Sequence, residues 1–144
     1  MASQLTSASL NPTIFDRAIG GSRDYDAQIS ELAAPGLREE DLFFQLTLDD
    51  LRRAAELLRP VWEATRGVDG WVSLEVSPRL AYDTESTVAE ALSLHRKAGF
   101  PNLFIKVPGT HEGLPAIEEL IYQGVPVNVT LLFSDDQYLT AAGA

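Results

Sequence analysis

The segment of residues 71–133 contains three short apolar runs: WVSLEV at 71–76, LFIKV at 103–107 and VPVNVTLLF at 125–133. Each run is rich in Val, Ile, Leu or Phe and is bounded by Gly or Pro, a pattern typical of β-strands. The three predicted strands, together with the segments between them, indicate the fold class.

Helical patterns fill the two intervals between the strands. Residues 84–98 and 114–123 each place apolar side chains at helical spacing along one face. Gly99 and Gly124 follow them, as glycine commonly follows a helix. The order strand, helix, strand, helix, strand predicts an α/β fold with a parallel sheet built from right-handed βαβ units.

The first half of the chain is predicted to be mostly helical. Short helices are expected at 24–33 and 38–45, and a capping-box variant, TLDD, opens a longer helix at 47–65. Pro60 lies late in that helix and is expected to kink or shorten it. Ahead of the helices, residues 5–10 form at most a short remnant of a strand.

Three further local patterns were interpreted from residue type. Asn11-Pro12 is a common turn dipeptide and is interpreted as a turn, with a helix beginning at Pro12 as the alternative. Gly20-Gly21-Ser22 favours a loop. Residues 134–137 begin a helix that is still running at Ala144, so we expect the chain to be part of a larger domain.

Composition excludes several classes of function. The chain has 144 residues, which suits one domain but falls short of the roughly 250 of a complete α/β barrel. A net charge of −10 excludes the basic face that nucleic acids or anionic membranes require. There are no cysteines for disulfides or thiolate metal sites, and the sequence pattern predicts neither a signal peptide nor a membrane span. We therefore expect a cytoplasmic protein.

Lys106 is the first candidate for chemistry because it lies inside the apolar run LFIKV. Burying an ammonium group without a partner is costly, so a lysine in a strand usually has a purpose. An unprotonated lysine amine is a nucleophile that forms Schiff bases with carbonyl substrates. A lysine at a strand end that reaches solvent, or a buried ion pair, remains the structural alternative.

Polar residues on the neighbouring strands favour the catalytic interpretation. Ser73 and Glu75 are two residues apart, as are Asn128 and Thr130, so each pair points to one face of its strand. Three successive strands thus place polar groups near their carboxyl ends, the edge that carries active sites in parallel α/β proteins. The remaining candidates are interpreted as structural, since His95 and His111 lack metal-ligand spacing and Asp135 and Asp136 suit a helix N-terminus.

Four segments then resemble successive motifs of transaldolase, in particular the longer bacterial form that also occurs fused to glucose-6-phosphate isomerase. The segments are NPTIFDRAI at 11–19, SLEVSPRLAYDTESTVAEA at 73–91, NLFIKVPGTHEGLPAIEEL at 102–120 and VNVTLLFS at 127–134. They follow one another in the family's order and cover nearly the whole chain.

The resemblance implies a class I aldolase on an (α/β)8 barrel. Lys106 would be the Schiff-base lysine in the fourth barrel strand, while Glu75 and Thr130 would hold a catalytic water. Asn128 would bind the substrate near the imine carbon, and Ser73 and Asn11 would line the same pocket. The implied partners are sugar phosphates, with no nucleic acid and no membrane, and no metal or organic cofactor is implied.

The chain also departs from the family. The family has an acid/base aspartate in its first strand, and none of the ten residues before Asn11 is an aspartate. The residue directly before the family's Asn-Pro motif is usually Ser or Thr, whereas here it is Leu10. The phosphate-binding arginines belong to later strands. We therefore expect residues 1–144 to form one incomplete barrel domain with about strands two to five. The alternatives are a fructose-6-phosphate aldolase-like enzyme and an inactive fragment that self-associates through open sheet edges.

Overall fold

The computed structural model describes residues 7–9, 12–32 and 39–144 of the chain. The strands are β1 (Ser7–Ser9), β2 (Trp71–Glu75), β3 (Leu103–Pro108) and β4 (Val127–Thr130). The helices are α1 (Pro12–Gly21), α2 (Asp26–Leu32), α3 (Glu39–Ala64), α4 (Thr84–Ala98), α5 (Gly113–Tyr122) and α6 (Asp135–Gly143), with a 3₁₀ helix at Pro78–Leu80. The strands form one parallel sheet in the order β1-β2-β3-β4. The predicted α/β class with a parallel sheet is confirmed.

The two faces of this sheet differ because side chains alternate along each strand. On one face, alternate residues of β2 and β3 are buried against helices α3, α4 and α5, and together they form the core: Val72, Leu74, Leu103, Ile105, Val107, Leu51, Leu58, Ala91, Leu94, Ile117 and Leu120. The intervening residues of the same strands point to the opposite face. Strands in sequential order with these helices on one face are the arrangement of a segment of an (α/β)8 barrel.

Helix α4 has the bounds that the sequence predicted, and its ends explain why. The Asp83 carboxylate accepts a hydrogen bond from the Ser86 N–H at the N-terminus. Hydrogen bonds from Ser86 also hold the pKa of Asp83 below its usual value. Gly99 ends the helix with φ of 68°, a left-handed conformation that glycine adopts without strain. The predicted helix start at Ser134 is likewise confirmed, because its side chain accepts from the Gln137 N–H.

Helix α3 corrects the prediction of two separate helices. It runs without interruption from Glu39 to Ala64, and Thr47 lies within it rather than at its N-terminus. The Thr47 hydroxyl donates to the carbonyl oxygen of Phe43 at 2.8 Å, so its polar group is satisfied inside the helix. A continuous buried stripe of Leu residues on the sheet outweighs the local capping signal. Pro60 does not shorten the helix.

The interpretation of Asn11-Pro12 as a turn was wrong at Pro12, where α1 begins. Proline suits a first helical position because its φ is already helical and its missing N–H is not needed there. Gly20 and Gly21 lie in the last turn of α1 rather than in a loop. Asn11 itself lies outside the described residues.

Strand β4 ends at Thr130, three residues before the predicted end at Phe133. Leu131 has a φ of 61°, which is incompatible with continued extended backbone. Strand β1, by contrast, falls inside the predicted range 5–10 and pairs in parallel with β2. None of the helices in the described ranges has the length and apolar character needed to cross a membrane.

Candidate active site

Lys106 and Glu75 form an ion pair across the β2–β3 ladder. They are register partners on adjacent strands. The Lys106 Nζ atom donates to Glu75 Oε2 at 3.2 Å. The side chains are 14% and 29% exposed, so the pair is largely withdrawn from solvent but open to a small molecule. Lys106 lies on the face away from the helices, so it neither enters the core nor extends freely into solvent.

Asn128 lies beside Lys106 on the other side, as its register partner on β4. Its side-chain amide reaches back over β3, where Nδ2 donates to the Oγ atom of Ser73 at 3.4 Å. Ser73 is buried, with 5% of its surface exposed. Residues from three strands therefore meet on one face, as the alternation of the sequence predicted.

Thr130 is the last residue of β4 and lies two residues after Asn128, on the same face of the sheet. Its register partner is Pro108. Its hydroxyl donates to the carbonyl oxygen of Val107 at 3.5 Å, and its own carbonyl oxygen accepts from the Gly109 N–H at 2.7 Å. A Cβ atom on residue 109 would lie 2.5 Å from the Cδ2 atom of Leu132 and 3.3 Å from the Thr130 carbonyl oxygen, so a larger residue here would displace the Leu132 side chain. The structure brings Thr130 to the site's edge without a direct contact to the Lys106–Glu75 pair.

A layer of aromatic side chains lies below these polar residues and was not singled out from the sequence. Trp71 and Phe104 occupy the same face one step earlier on β2 and β3, with ring centroids 4.2 Å apart. Trp62 of α3 meets Trp71 edge to face at 6.0 Å. Together with Ser73 and Asn128, Trp71 and Phe104 line a cavity of about 280 Å³. The sequence carried a signal for this layer, because alternation in WVSLE places Trp71 on the same face as Ser73, and alternation in LFIK places Phe104 on the same face as Lys106.

Two threonines tie together the loops that follow β2 and β3, and these were also missed. The Thr110 hydroxyl donates to the Ala81 carbonyl oxygen at 2.5 Å, and the Thr84 hydroxyl donates to the Glu112 carbonyl oxygen at 2.6 Å. We call these two hydrogen bonds the threonine latch. Each connects one loop to the other, so the backbone after Glu75 and the backbone after Lys106 are held in a fixed relation.

The site's side chains suit carbonyl chemistry. A lysine, an adjacent carboxylate and an amide lie together at the carboxyl edge of parallel strands, and these are the types of group that Schiff-base chemistry requires. Within the described ranges, no group of three His, Asp or Glu side chains is arranged to hold a metal ion.

The family model described as Transaldolase/Fructose-6-phosphate aldolase matches residues 2–144, almost the whole chain. The chain belongs to the transaldolase/fructose-6-phosphate aldolase family. Membership in this family predicts an (α/β)8 barrel. The four parallel strands in sequential order are consistent with a segment of such a barrel.

Similar proteins of this family include the transaldolases of Saccharopolyspora erythraea and Thermobifida fusca, each 54% identical over 128 residues. The transaldolase of Mycobacterium bovis is 49% identical over the same length. In each case the match covers 89% of this chain but only 34% or 35% of the relative. The chain spans about a third of the length of the curated relatives it matches.

Proposed function

We propose that this chain carries the Schiff-base centre of a transaldolase. Such an enzyme moves a dihydroxyacetone unit from a ketose phosphate to an aldose phosphate. The donors would be sedoheptulose 7-phosphate or fructose 6-phosphate and the acceptors glyceraldehyde 3-phosphate or erythrose 4-phosphate, in the pentose phosphate pathway of the cytoplasm. The observation that carries the proposal is the partly buried ion pair between Lys106 and Glu75 at 3.2 Å. The names of the relatives support it.

The first step is attack of the unprotonated Lys106 amine on the ketone carbon of the donor. A C–N bond forms, and loss of water leaves a protonated Schiff base. The carboxylate of Glu75 is within hydrogen-bond reach of Nζ. It takes one proton from the Lys106 ammonium group and returns it to the carbinolamine hydroxyl that leaves as water, directly or through a water shared with Thr130.

The second step breaks the bond between C3 and C4 of the donor. Its electron pair moves into the cationic imine, the C4 hydroxyl gives its proton to the Glu75 carboxylate through the shared water, and an aldose phosphate leaves. The enamine that remains on Lys106 then adds through C3 to the acceptor aldehyde, whose oxygen takes that proton back, and water releases the new ketose. In this proposal the amide of Asn128 binds the three-carbon unit next to the imine, and Ser73 belongs to the same pocket, as does Asn11.

A fructose-6-phosphate aldolase-like activity is the second candidate because the family description includes it. It would use the same lysine, but it would release free dihydroxyacetone instead of transferring the unit. The long helical segment before β2, with 26 residues in α3 alone, favours the transaldolase form.

Borohydride trapping tests the proposal directly on this chain. The sequence contains two lysines, Lys97 and Lys106, so Lys97 is an internal control. We expect reduction in the presence of dihydroxyacetone or fructose 6-phosphate to attach a three-carbon adduct to Lys106, located by peptide mass spectrometry. Lys106→Met should abolish the adduct. An adduct confined to Lys97, or equal on both lysines, would overturn the proposal.

A further inference from the structure

The hydrogen bond between Asn128 and Ser73 joins two strands that are not neighbours. Ser73 is paired with Phe104 and Asn128 is paired with Lys106, so the bond crosses β3 between the side chains of Phe104 and Lys106. Strands lie about 4.8 Å apart, so the two backbones are separated by twice that spacing. Only side chains that lean towards each other over the middle strand can make this contact.

The contact places the Asn128 amide on the face of the sheet that carries Lys106, its register partner. An amide has a donor end and an acceptor end, whereas an ammonium group has donors alone. With Nδ2 donating to Ser73 Oγ, the Oδ1 atom of the Asn128 amide takes no part in this hydrogen bond. The hydroxyl groups of a dihydroxyacetone unit on Lys106 can donate as well as accept, and a donating hydroxyl would use that carbonyl oxygen as its acceptor.

We propose that Ser73 is a positioning residue that holds the Asn128 side chain in place beside Lys106. This inference rests on the proposed function and revises the expectation that Ser73 binds substrate itself. Ser73 acts through Asn128, whose amide contacts the unit bound at Lys106. Loss of the Ser73 oxygen removes this hydrogen bond and leaves the Asn128 side chain free to change rotamer in the cavity that both residues line.

The first measurement reads the amide itself and needs no catalysis. The chain has three asparagines, Asn11, Asn102 and Asn128, and Asn128→Asp assigns the side-chain signals of the third in a spectrum of protein labelled with ¹⁵N-asparagine. We expect Ser73→Ala to shift the Asn128 amide protons and to speed their hydrogen exchange about five- to tenfold, as loss of one hydrogen bond predicts. Ser73→Thr, which keeps the hydroxyl, should restore the original exchange rate.

Ser9→Ala is the matched control, because Ser9 is the register partner of Ser73 and lines the same cavity. It should leave the Asn128 amide unchanged. An unchanged Asn128 amide in a folded Ser73→Ala protein, or an equal change in Ser9→Ala, would overturn the inference.

The second measurement separates this inference from the proposed function. In borohydride trapping, we expect Ser73→Ala to raise the half-saturating dihydroxyacetone concentration about five- to tenfold, with Lys106 still the modified residue. If Ser73→Ala shifts the Asn128 amide signals but leaves the half-saturating dihydroxyacetone concentration unchanged, the positioning role is overturned and the proposed function stands. No adduct in the unsubstituted chain would overturn the proposed function and the substrate role of the amide with it.

Discussion

The Nζ atom of Lys106 lies 3.2 Å from the Oε2 atom of Glu75, and the two residues are paired across adjacent parallel strands. Register alone places them on one face, because paired residues on neighbouring strands point the same way. The carboxylate therefore has two effects on the lysine. It forms an ion pair with the ammonium group, and it offers a proton acceptor at the distance that proton transfer requires.

Glu75→Gln should slow adduct formation at Lys106 about 100-fold, because it removes the proton acceptor while preserving the shape of the side chain. The measurement is the initial rate of borohydride-trapped adduct with dihydroxyacetone. Glu90→Gln is the control, since the Glu90 carboxylate accepts from the Ser77 N–H at 3.3 Å and belongs to α4. Equal rates in Glu75→Gln and the unsubstituted chain would show that Glu75 has no part in the proton transfer.

Asn102→Ala should lower the free energy of unfolding by about 2 kcal/mol, measured by urea denaturation. Asn102 is fully buried, and its Nδ2 donates to the carbonyl oxygens of Ala55 and Gly70 at 2.9 and 2.8 Å. These bonds connect α3 to the loop ahead of β2. Asn102→Asp should be at least as destabilising at neutral pH, because its carboxylate would face two carbonyl oxygens. A loss below about 0.5 kcal/mol would refute this role.

Removing the threonine latch should loosen the two loops beside the site. Thr110→Val and Thr84→Val should each cost about 1 kcal/mol of stability. Hydrogen exchange should quicken in the loops after β2 and β3 more than in the core strands. Thr140→Val is the control, since the Thr140 hydroxyl donates within exposed helix α6. Uniform quickening throughout the sheet would indicate general destabilisation instead of a local latch.

Tyr25 should titrate at a higher pH than is usual for a tyrosine. Its hydroxyl donates to Asp50 Oδ2 at 2.6 Å, and this hydrogen bond, helped by burial, raises the pKa of Tyr25 from 10.0 to about 12. Because the folded-state pKa is the higher one, the stabilisation is present below pH 10 and is lost as the pH rises towards 12. Ultraviolet titration should show a late tyrosinate step that Tyr25→Phe abolishes. A single step near pH 10 would contradict the contact.

Self-association is expected at the β4 side of the sheet. β4 is an outer strand of the sheet, and the segment that follows it in the chain exposes four large apolar side chains: Leu131, Phe133, Tyr138 and Leu139. Such an edge offers unpaired backbone groups to another chain. Light scattering after size exclusion should show association that Phe133→Asp with Leu139→Asp weakens. Val68→Asp, at another exposed apolar residue, should not weaken it. A monomer at high concentration would refute the prediction.

Local sequence signals predicted the ends of a helix correctly where one short segment determines those ends. Asp83 and Gly99 bound α4 because a side-chain cap and a left-handed residue act over a single turn. The same signals failed at Thr47, where burial of the surrounding leucines on the sheet extends α3 through the expected boundary. They also failed at Leu131, whose backbone conformation ends β4 early and could not be inferred from an apolar residue in an apolar run.

By itself, the sequence determined which residues share a face. Alternation along a strand fixes that Ser73 with Glu75, and Asn128 with Thr130, project to one side, because the period of a strand is two. Only the tertiary structure decided which of these side chains meet. Register set Glu75 against Lys106 and Lys106 against Asn128, and it depends on how whole strands pack on α3, α4 and α5. Contacts between residues 31 or 55 positions apart, as in Lys106–Glu75 and Asn128–Ser73, arise from that packing and not from local sequence.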